Sequence, residues 1–538
     1  MYQKSNLYQL LSIEYSPEVA EQFFIDEFTK RGITNYIDFT TNFEVEYNEE
    51  TIVQRVECFS YLQLPNQDDL SKYLLNKYIL KGKYLDLICN FHCIRHVIEE
   101  LCKNINELTN EQLIYISLYV EILELNLKNT PSTIQMNNTV TDDGLINCVH
   151  LQKLNVCFNQ NITNEGLKNC VNLQILLASW NTKITTCLPF SKSLIELDAS
   201  KSCGIGDEGL QKCENLQKLN ASENDKITNC NTFSLSLLEL KASCKLYGLN
   251  CGIDDNGLKY CVNLQKLNAK ENIKITTCQP FKDTLIKLNA GGVCGISDSG
   301  LENCNKIQIL YAENNQEIHT CEPFANTLVV LNAYFKCNIN DDGLKNCVNI
   351  RELDACRNSK ITKCDHFAKN LIKLCISDDC GIGDTELVNC VNLQFLNASN
   401  NNKITTCNPF AKTLIELDAM YNCGIDDKGL ENCFIIQKLK AGSNIKITTC
   451  NPFAKSLIEL NANCCCGIND QGIENCINLK KLNAWNNNKI TTCDPFADSL
   501  VELIAISNCG ITDEGLKNCH QLKILTSYGN LKITMKIE

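Results

Sequence analysis

The sequence predicts an α/β repeat solenoid whose short parallel strands line a concave β-sheet, preceded by a small, mainly helical N-terminal domain. Three observations lead to this fold class. A motif of the form D-x-G-L-x-N-C recurs every 43 residues over most of the chain. Each 43-residue segment divides into two similar halves that begin with L-x-x-L-x-A. The chain has 538 residues, more than one compact domain usually holds, whereas a repeat array can grow because each unit contacts only its neighbours.

The 43-residue period is clearest at the leucine of the D-x-G-L-x-N-C motif. Successive occurrences are 43 residues apart, except for one interval of 48 that contains an insertion near residues 243–253. The position is occupied by Leu167, Leu210, Leu258, Leu301, Leu344, Leu387, Leu430, Ile473 and Leu516. This regularity indicates an array of tandem repeats.

The two halves of each repeat have the spacing of leucine-rich repeats. Residues 393–410 (LQFLNASNNNKITTCNPF) and 414–433 (LIELDAMYNCGIDDKGLENC) both begin with L-x-x-L-x-A. Alternate residues of a strand point to opposite faces, so the second leucine and the alanine of this motif face the core, as in leucine-rich repeats. The pattern predicts a leucine-rich-repeat horseshoe over residues 122–538, with about 18–19 repeats and a degenerate first strand at residues 122–127.

The segments CGITDEGLKNCHQLKIL (509–525) and CGIDDNGLKYCVNLQKLNA (251–269) resemble the cysteine-containing class of leucine-rich repeats. That class is familiar from F-box substrate receptors of cullin-type ubiquitin ligases. Two departures from the class stand out. The cysteine lies one position later, next to glycine, and every second repeat carries I-T-T-C-x-P-F in place of I-T-D-x-G-L. The resemblance implies a leucine-rich-repeat fold and the capture of a protein substrate.

Most of the 36 cysteines fall into three columns of the repeat. The first column runs from Cys187 to Cys493, the second from Cys203 to Cys509, and the third from Cys148 to Cys519. Members of one column are two strands apart, which corresponds to ~10 Å and exceeds the ~7 Å that a disulfide allows between Cα atoms. The three columns also occupy different positions along the repeat. We therefore expect reduced thiols packed in the interior, beside a spine of phenylalanines from Phe190 to Phe496.

Positions 3 and 5 of L-x-x-L-x-A are predicted to project from the concave face. Position 3 alternates glutamate and lysine over long stretches, so neighbouring strands should pair opposite charges. The alternation stops in the middle of the array, where aromatic side chains and the only two arginines of the repeat region occur. Exposed aromatics with arginine favour protein binding, and drift among duplicated repeats is the alternative interpretation. The predicted protein-binding residues are Tyr311, Tyr334, Phe335, Arg351, Arg357, Phe395, Met420 and Tyr421.

Residues 1–121 lack the repeat and are predicted to form a separate, mainly helical domain that caps the first repeat. Thr109-x-x-Gln112 has the form of a capping box and predicts a helix that leads into the array. Residues 64–94 resemble an F-box through Leu64, Pro65 and the apolar helix that follows them. A BTB-like or purely capping domain is the competing interpretation.

One group of residues in the N-terminal region has the spacing of a metal site. It comprises Cys89, His92, Cys93, His96 and Cys102. Three of these residues would share one face of a helix and could hold zinc. Their apolar neighbours favour an ordinary buried helix face instead, so we predict no metal.

Charge and the lack of recognisable motifs narrow the function. A net charge of −13 and a pI near 5.2 disfavour nucleic acid and anionic membranes as partners. The first residues do not form a secretory signal, and no run of apolar residues is long enough to cross a membrane, so we expect a cytoplasmic protein. No phosphate-binding glycine motif occurs, and no catalytic motif surrounds the six histidines. We therefore predict neither an enzyme nor a cofactor.

The sequence thus predicts a protein–protein interaction module that binds a protein partner on its concave face. One hypothesis is a substrate-recognition adaptor of a cullin-type ubiquitin ligase, in which the N-terminal domain binds a ligase component. The alternative is a non-recruiting scaffold or decoy that binds a host or cellular protein.

Overall fold

The computed structural model of the chain describes residues 110–119, 122–129, 140–245 and 250–535. Within them the chain divides into two compact units between Leu237 and Leu238, and residues 250–252 belong to the first unit. The F-box-like segment 64–94 and the cysteine- and histidine-containing segment 89–102 lie outside the described residues.

Helix α1 (Asn110–Tyr119) precedes the array, where the capping-box pattern predicts a helix. The Oδ1 atom of Asn110 accepts a hydrogen bond from the backbone N–H of Thr141 at 2.8 Å, and its Nδ2 atom donates to the Thr141 hydroxyl at 2.7 Å. Leu113 is fully buried and contacts Gly144 in the first turn of the array. The helix therefore packs against the start of the repeats. None of the helices in the described residues is long and apolar enough to span a lipid bilayer.

Strands of three residues recur throughout both units, and each occupies positions 3 to 5 of the L-x-x-L-x-A motif or its equivalent. The first unit contains β1 (Glu124–Asn126), β2 (Lys153–Asn155), β3 (Ile175–Leu177), β4 (Glu196–Asp198) and β5 (Lys218–Asn220). The second unit contains β6 (Glu239–Lys241), β7 (Lys266–Asn268), β8 (Lys287–Asn289), β9 (Ile309–Tyr311), β10 (Val330–Asn332), β11 (Glu352–Asp354), β12 (Lys373–Cys375), β13 (Phe395–Asn397), β14 (Glu416–Asp418), β15 (Lys438–Lys440), β16 (Glu459–Asn461), β17 (Lys481–Asn483), β18 (Glu502–Ile504) and β19 (Ile524–Thr526).

Neighbouring strands within each unit are parallel and in register. The central leucines face each other across the pairs, as Leu197 and Leu219 do in the first unit and Leu417 and Leu439 in the second. These leucines are buried, and the residues on either side of them in the strands are mostly half-exposed or exposed. The alternation confirms the predicted fold class, an α/β leucine-rich-repeat solenoid.

Single helical turns connect the strands. Five α-helical turns span Asn164–Leu167, Asp255–Leu258, Asp341–Leu344, Asp427–Leu430 and Asp470–Ile473 within the described residues. The 3-10 turns there span Asp142–Leu145, Leu188–Phe190, Asp207–Leu210, Asn231–Phe233, Gln279–Phe281, Ser299–Leu301, Glu322–Phe324, Ala368–Asn370, Asp384–Leu387, Asn408–Phe410, Asn451–Phe453, Asp494–Phe496 and Glu514–Leu516. Eight phenylalanines that recur once in each 43-residue repeat are no more than 1% exposed, which confirms the predicted interior spine: Phe190, Phe233, Phe281, Phe324, Phe367, Phe410, Phe453 and Phe496.

The D-x-G-L motif fastens each turn to its neighbours. The carboxylate of Asp427 accepts hydrogen bonds from the backbone N–H and hydroxyl of Thr448, one turn later, at 2.8 and 2.5 Å. A Cβ atom on Gly429 would lie 2.1 Å from the carbonyl oxygen of Thr405 in the preceding turn. Only glycine permits this close approach. The same carboxylate contact recurs at Asp207, Asp255, Asp341, Asp384, Asp470 and Asp513.

A ladder of buried asparagines, which the sequence analysis did not identify, runs through alternate turns. The side-chain amide of Asn444 donates to the carbonyls of Ala419 and Ile425 at 2.9 and 3.2 Å, and its Oδ1 accepts from the Lys446 N–H at 3.0 Å. Other members are Asn181, Asn224, Asn272, Asn315, Asn358, Asn401, Asn487 and Asn530. These side chains satisfy backbone groups that the tight turns leave unpaired.

The first and third cysteine columns meet in the interior, which corrects the expectation that different columns stay apart. The sulfur atoms of Cys364 and Cys390 are 3.9 Å apart. Equivalent thiol contacts join the pairs Cys187–Cys213, Cys278–Cys304, Cys321–Cys347, Cys407–Cys433, Cys450–Cys476 and Cys493–Cys519. Cys364 and Cys390 are 26 positions apart and lie in adjacent turns, so their sulfur atoms meet. Two neighbouring members of one column lie in turns that are two strands apart. No disulfide joins cysteines among the described residues.

Candidate functional site

The residues at positions 3 and 5 of the L-x-x-L-x-A motif, which are the first and last residues of each strand, form one face of the sheet in each unit. We call this face the open face. Position 3 carries the predicted ladder of alternating charges. Lys218 and Glu196 are 3.4 Å apart, and Lys481 and Glu502 are 3.2 Å apart. Further pairs are Lys153–Glu124, Lys266–Glu239 and Lys438–Glu459. The predicted cross-strand pairing is therefore confirmed, and these charges are largely neutralised by each other.

The ladder is interrupted between β9 and β13 by apolar side chains. Position 3 becomes Ile309 in β9, Val330 in β10 and Phe395 in β13, and position 5 of β9 becomes Tyr311. All four side chains are half-buried. A lysine on the preceding strand covers each aromatic ring: the Lys287 Nζ is 5.2 Å from the ring centre of Tyr311, and the Lys373 Nζ is 5.3 Å from that of Phe395. These cations shield one side of each ring by cation–π contact.

A second row of side chains lies just beyond the strands, at the residue two positions after the last residue of L-x-x-L-x-A. We call this row the rim. Between β10 and β14 it consists of Phe335, Arg357, Asp378, Asn400 and Tyr421, whose φ angles are between 56° and 61°. Each rim N–H donates to the next turn, as Phe335 does to the Cys356 carbonyl at 2.8 Å. The hydrogen bonds hold non-glycine residues in a left-handed conformation that they rarely adopt.

The polar members of the rim are bonded to one another. The Arg357 Nε donates to the Asp378 carboxylate at 2.9 Å, and the Asn400 side chain donates to the other carboxylate oxygen at 3.0 Å. Burial raises the pKa of Asp378, but the hydrogen bonds from Asn400 and Arg357 outweigh it, and the net pKa is lowered. Asp378 is therefore held as a carboxylate between the two donors.

The two predicted arginines do not form a joint site. Arg357 is already paired with Asp378, so its charge is not left over for an acidic group on a partner. Arg351 is exposed and precedes β11, whereas Arg357 follows it. The three residues of β11 therefore lie between the two arginines along the chain.

The predicted aromatic residues fall into two rows. Phe335 and Tyr421 belong to the rim, next to the half-buried Tyr334 and Met420, and the Tyr334 and Phe335 rings have centres 5.9 Å apart. Tyr421 is 56% exposed, so it offers the most accessible aromatic surface in this stretch. Tyr311 and Phe395 belong to the open face, where four strand spacings, ~19 Å, separate them. The structure thus places these residues along one stretch of the array but does not bring them into a single patch.

The rim of the first unit contains an aromatic stack that the sequence analysis missed. Trp180 stacks on Phe158 with ring centres 5.9 Å apart and an interplanar angle of 20°. The Lys201 Nζ lies 5.7 Å from the Trp180 ring centre. Phe158, Trp180 and Lys201 occupy the rim position of three successive turns. Comparing residues at this position from turn to turn would have revealed the stack.

A shallow groove on the open face begins at β14, the strand next to Phe395. It is lined by the charged strands from β14 to β18, with Glu416, Lys438, Glu459, Lys481 and Glu502 along position 3. Because these charges alternate and pair with each other, the groove offers no concentrated field of one sign. It therefore does not favour a strongly charged ligand.

Comparison with known proteins gives structural neighbours only. No protein-family model and no curated protein matches this chain. An internalin, InlF, from Listeria monocytogenes is 19% identical, with 66% of this chain and 88% of that chain covered at a TM-score of 0.34. The functional domain of InlJ from the same organism, described as including a cysteine ladder, is 15% identical, with 66% and 74% covered at a TM-score of 0.38. These similarities concern the repeat fold alone.

Proposed function

We propose that this chain is a protein–protein interaction module, and that its partner contacts the rim and the open face between β9 and β14. The observation that supports the proposal is that three of the five strands from β9 to β13 carry an apolar residue at position 3, whereas β3 and β19 do so singly. Tyr421 is 56% exposed on the rim of the same stretch. Exposed ion pairs contribute only ~0–1 kcal/mol, so the charge ladder gives a partner little to gain. An aromatic side chain buried at the centre of an interface contributes ~2 kcal/mol or more.

The dimensions of this stretch suit a macromolecular partner. Six neighbouring strands at ~4.8 Å spacing extend over ~25 Å, which matches a protein epitope better than a small molecule. The rim adds a row of side chains alongside the strands, with Phe335 and Tyr421 at either end of the Arg357–Asp378–Asn400 network. A partner can therefore bury both aromatic ends without breaking the ion pair between them.

Separate variants of the two aromatic rows test this proposal. The rim variant carries Phe335→Asn and Tyr421→Asn, because asparagine already occupies the same left-handed position at Asn400. The open-face variant carries Tyr311→Asn and Phe395→Ala. A partner would first be identified by affinity capture with the full-length protein and then used in purified form. We expect each variant to weaken its binding by roughly 30-fold or more, which corresponds to ~2 kcal/mol.

A matched control comes from the charge ladder. Lys218→Ala and Lys266→Ala remove exposed, paired charges and should change the affinity by less than about fivefold. Thermal unfolding of every variant should follow that of the parent protein, since all substituted side chains lie outside the buried core. If the charge variant loses binding and both aromatic variants keep it, the partner binds elsewhere and the aromatic residues reflect drift between repeats.

A ubiquitin-ligase adaptor is the more specific hypothesis, and it rests on the F-box-like segment 64–94. Capture with the parent chain and with a full-length variant that carries Leu64→Ala and Pro65→Ala distinguishes it from a non-recruiting scaffold or decoy. An adaptor loses a ligase component in the variant and keeps the partner of the repeats. A scaffold or decoy captures no ligase component in either form. We also propose a cytoplasmic location, because a chain with many buried thiols suits a reducing compartment.

A further inference from the structure

Two cysteines outside the three columns meet on the open face in the middle of the array. Cys375 occupies position 5 of β12, and Cys356 follows the end of β11. Together with Asp354 they place two sulfur atoms and a carboxylate oxygen within 4.8 Å of one another. This is the one group of three or more potential metal ligands in residues 110–119, 122–129, 140–245 and 250–535.

The sheet register creates this arrangement. Asp354 and Cys375 are direct partners in the parallel pair β11–β12, and Cys356 lies two residues beyond Asp354. The Oδ1 atom of Asp354 accepts from the backbone N–H of Cys356 at 3.1 Å. The Ser377 N–H donates to the sulfur of Cys356 at 3.3 Å. The backbone thus fixes two of the three side chains before any ligand binds, and the Oδ2 atom of Asp354 is the carboxylate oxygen available to a cation.

The repeat itself explains Asp354 but not Cys375. A side-chain oxygen at position 5 that accepts from the N–H two residues later recurs throughout the array, as at Asn332 and Asn397. Cysteine occurs at position 5 in β12 alone among the described strands. Cys375 cannot make the acceptor contact of an asparagine equally well, and its sulfur instead approaches Cys356.

We propose that Asp354, Cys356 and Cys375 bind a thiophilic divalent cation such as Zn²⁺. Two thiolates and one carboxylate are ligands that Zn²⁺ accepts, and three protein ligands leave a fourth tetrahedral position open to water or to a group of another molecule. Tetrahedral coordination with these ligands requires donor atoms ~3.7 Å apart, so the side chains need to move by ~1 Å. Asp354 and Cys375 are half-exposed and have room for that movement. Binding forms two metal–sulfur bonds and one metal–oxygen bond and releases two thiol protons to solvent.

The site differs from the interior thiol pairs in its access to solvent. Cys364 and Cys390, for example, are fully buried, so a hydrated cation cannot reach them without local unfolding. Cys356 is 6% exposed, and Cys375 and Asp354 line the open face beside it. The proposal does not depend on the protein-binding function, because the affinity for the cation is measured on the isolated chain.

Cobalt titration of the full-length protein tests the proposal. Metal-free, reduced protein would be titrated with Co²⁺ without oxygen, and thiolate-to-cobalt charge-transfer absorption would be recorded. The test variant is Cys375→Asn, which installs the residue found at position 5 of β10 and of the adjacent strand β13. Loss of a residue that only hydrogen-bonds to a metal ligand can weaken metal binding by roughly 100-fold. Cys375→Asn removes a ligand itself, so we expect it to weaken Co²⁺ binding at least as much. The matched control is Cys465→Asn, which replaces an exposed cysteine outside the site.

A second variant separates a ligand from a structural residue. Asp354→Asn keeps the side-chain oxygen that accepts from the Cys356 N–H but removes the carboxylate charge. It should weaken Co²⁺ binding, leave the melting temperature unchanged and, at saturating Co²⁺, preserve the charge-transfer absorption of the two thiolates. Cysteines elsewhere in the chain are present in every variant and contribute the same background. The proposal is overturned if Cys375→Asn binds Co²⁺ as the parent does. It is also overturned if the unreduced parent protein is two hydrogen masses lighter than the reduced protein and Cys375→Asn shows no such difference. That result would identify a Cys356–Cys375 disulfide.

Discussion

Replacement of one member of the asparagine ladder should destabilise the array far more than replacement of its sequence neighbour. Asn401 is 2% exposed. Its amide donates to the carbonyls of Ile376 and Ile382 at 2.8 and 3.3 Å, and its Oδ1 accepts from the Lys403 N–H at 3.1 Å. Asn401→Ala removes all three hydrogen bonds and leaves the backbone groups of three residues without this partner. The adjacent Asn402 is exposed, so Asn402→Ala is the matched control.

The expected loss follows from the number of bonds. Each hydrogen bond contributes ~1 kcal/mol net, and a buried carbonyl left unpaired costs ~1–3 kcal/mol. Three bonds, two of them to buried carbonyls, give an expected decrease of ~3–5 kcal/mol in the free energy of unfolding. Because the stability of a repeat array is carried by contacts between neighbouring turns, the loss should be concentrated in the turns that contain residues 376–404.

Urea unfolding and hydrogen exchange measure the two parts of this expectation. Circular dichroism should give a lower urea midpoint for Asn401→Ala, with Asn402→Ala within ~0.5 kcal/mol of the parent. Peptides covering residues 376–404 should exchange faster in Asn401→Ala, and peptides from β2 to β4 should not. A decrease below ~1 kcal/mol would show that water or backbone rearrangement replaces the ladder, and the reasoning would fail.

Three further predictions concern the thiols and the N-terminal region. Burial raises the pKa of five second-column thiols to about 11: Cys203, Cys337, Cys380, Cys423 and Cys466. Their contribution to the stability of the fold is complete below the ordinary thiol pKa near 9. It is lost as the pH rises from 9 towards 11, because the unfolded chain releases its thiol protons first. The free energy of unfolding should be lower at pH 10 than at pH 8 by about 1 kcal/mol per thiol. Cys423→Ala should make this pH dependence smaller, and a dependence equal to that of the parent protein would contradict the prediction. Mass measurement after alkylation of denatured, unreduced protein should show nearly all 36 cysteines modified, and recovery of several specific disulfides would refute the reduced interior. Deletion of residues 1–121 removes the helix that buries Leu113 against the first turn and should cause aggregation in light scattering, whereas a truncated array as soluble and heat-stable as the parent would rule out a capping role.

The strands and the charge ladder were predictable because their periods are visible in the sequence. The leucine at position 4 of the L-x-x-L-x-A motif is the middle residue of each strand and must face the core. The residues on either side of it then face the opposite side of the sheet. Once the strands are aligned at intervals of 21 or 22 residues, Glu196 falls opposite Lys218 and Glu416 opposite Lys438. Cross-strand pairing in the structure follows directly from that alignment.

The rim was not predictable in the same way. A left-handed backbone usually indicates glycine, but here the position is occupied by phenylalanine, tryptophan, arginine and glutamate as well as by asparagine. The conformation is imposed by the hydrogen bonds between turns rather than by the residue itself. The Arg357–Asp378 pair could nevertheless have been anticipated, because the two residues are 21 positions apart, the same interval that places Glu352 opposite Lys373 in the register of β11 and β12.

The cysteine contacts show a related limit. Spacing within a column compares Cys364 only with the next member of its own column, Cys407, two strands away. It says nothing of Cys390, which belongs to another column and lies in the adjacent turn, 3.9 Å away in space. Contacts between columns depend on how the interior of one turn packs on the next, and that packing is set by side-chain volumes in three dimensions.

The structure separates the residues that hold the array together from those that are free to differ between turns. The aspartate clamps, the asparagine ladder, the phenylalanine spine and most column cysteines are buried or bonded to adjacent turns, so a change in any of them disturbs its neighbours. Positions 3 and 5 and the rim lie outside the core, and the side chains at position 3 change from Glu416 to Phe395 to Val330 without altering the register. A binding surface can therefore be placed on these positions at little cost in folding free energy. For the same reason, Phe335→Asn, Tyr421→Asn and Cys375→Asn should report on binding rather than on folding.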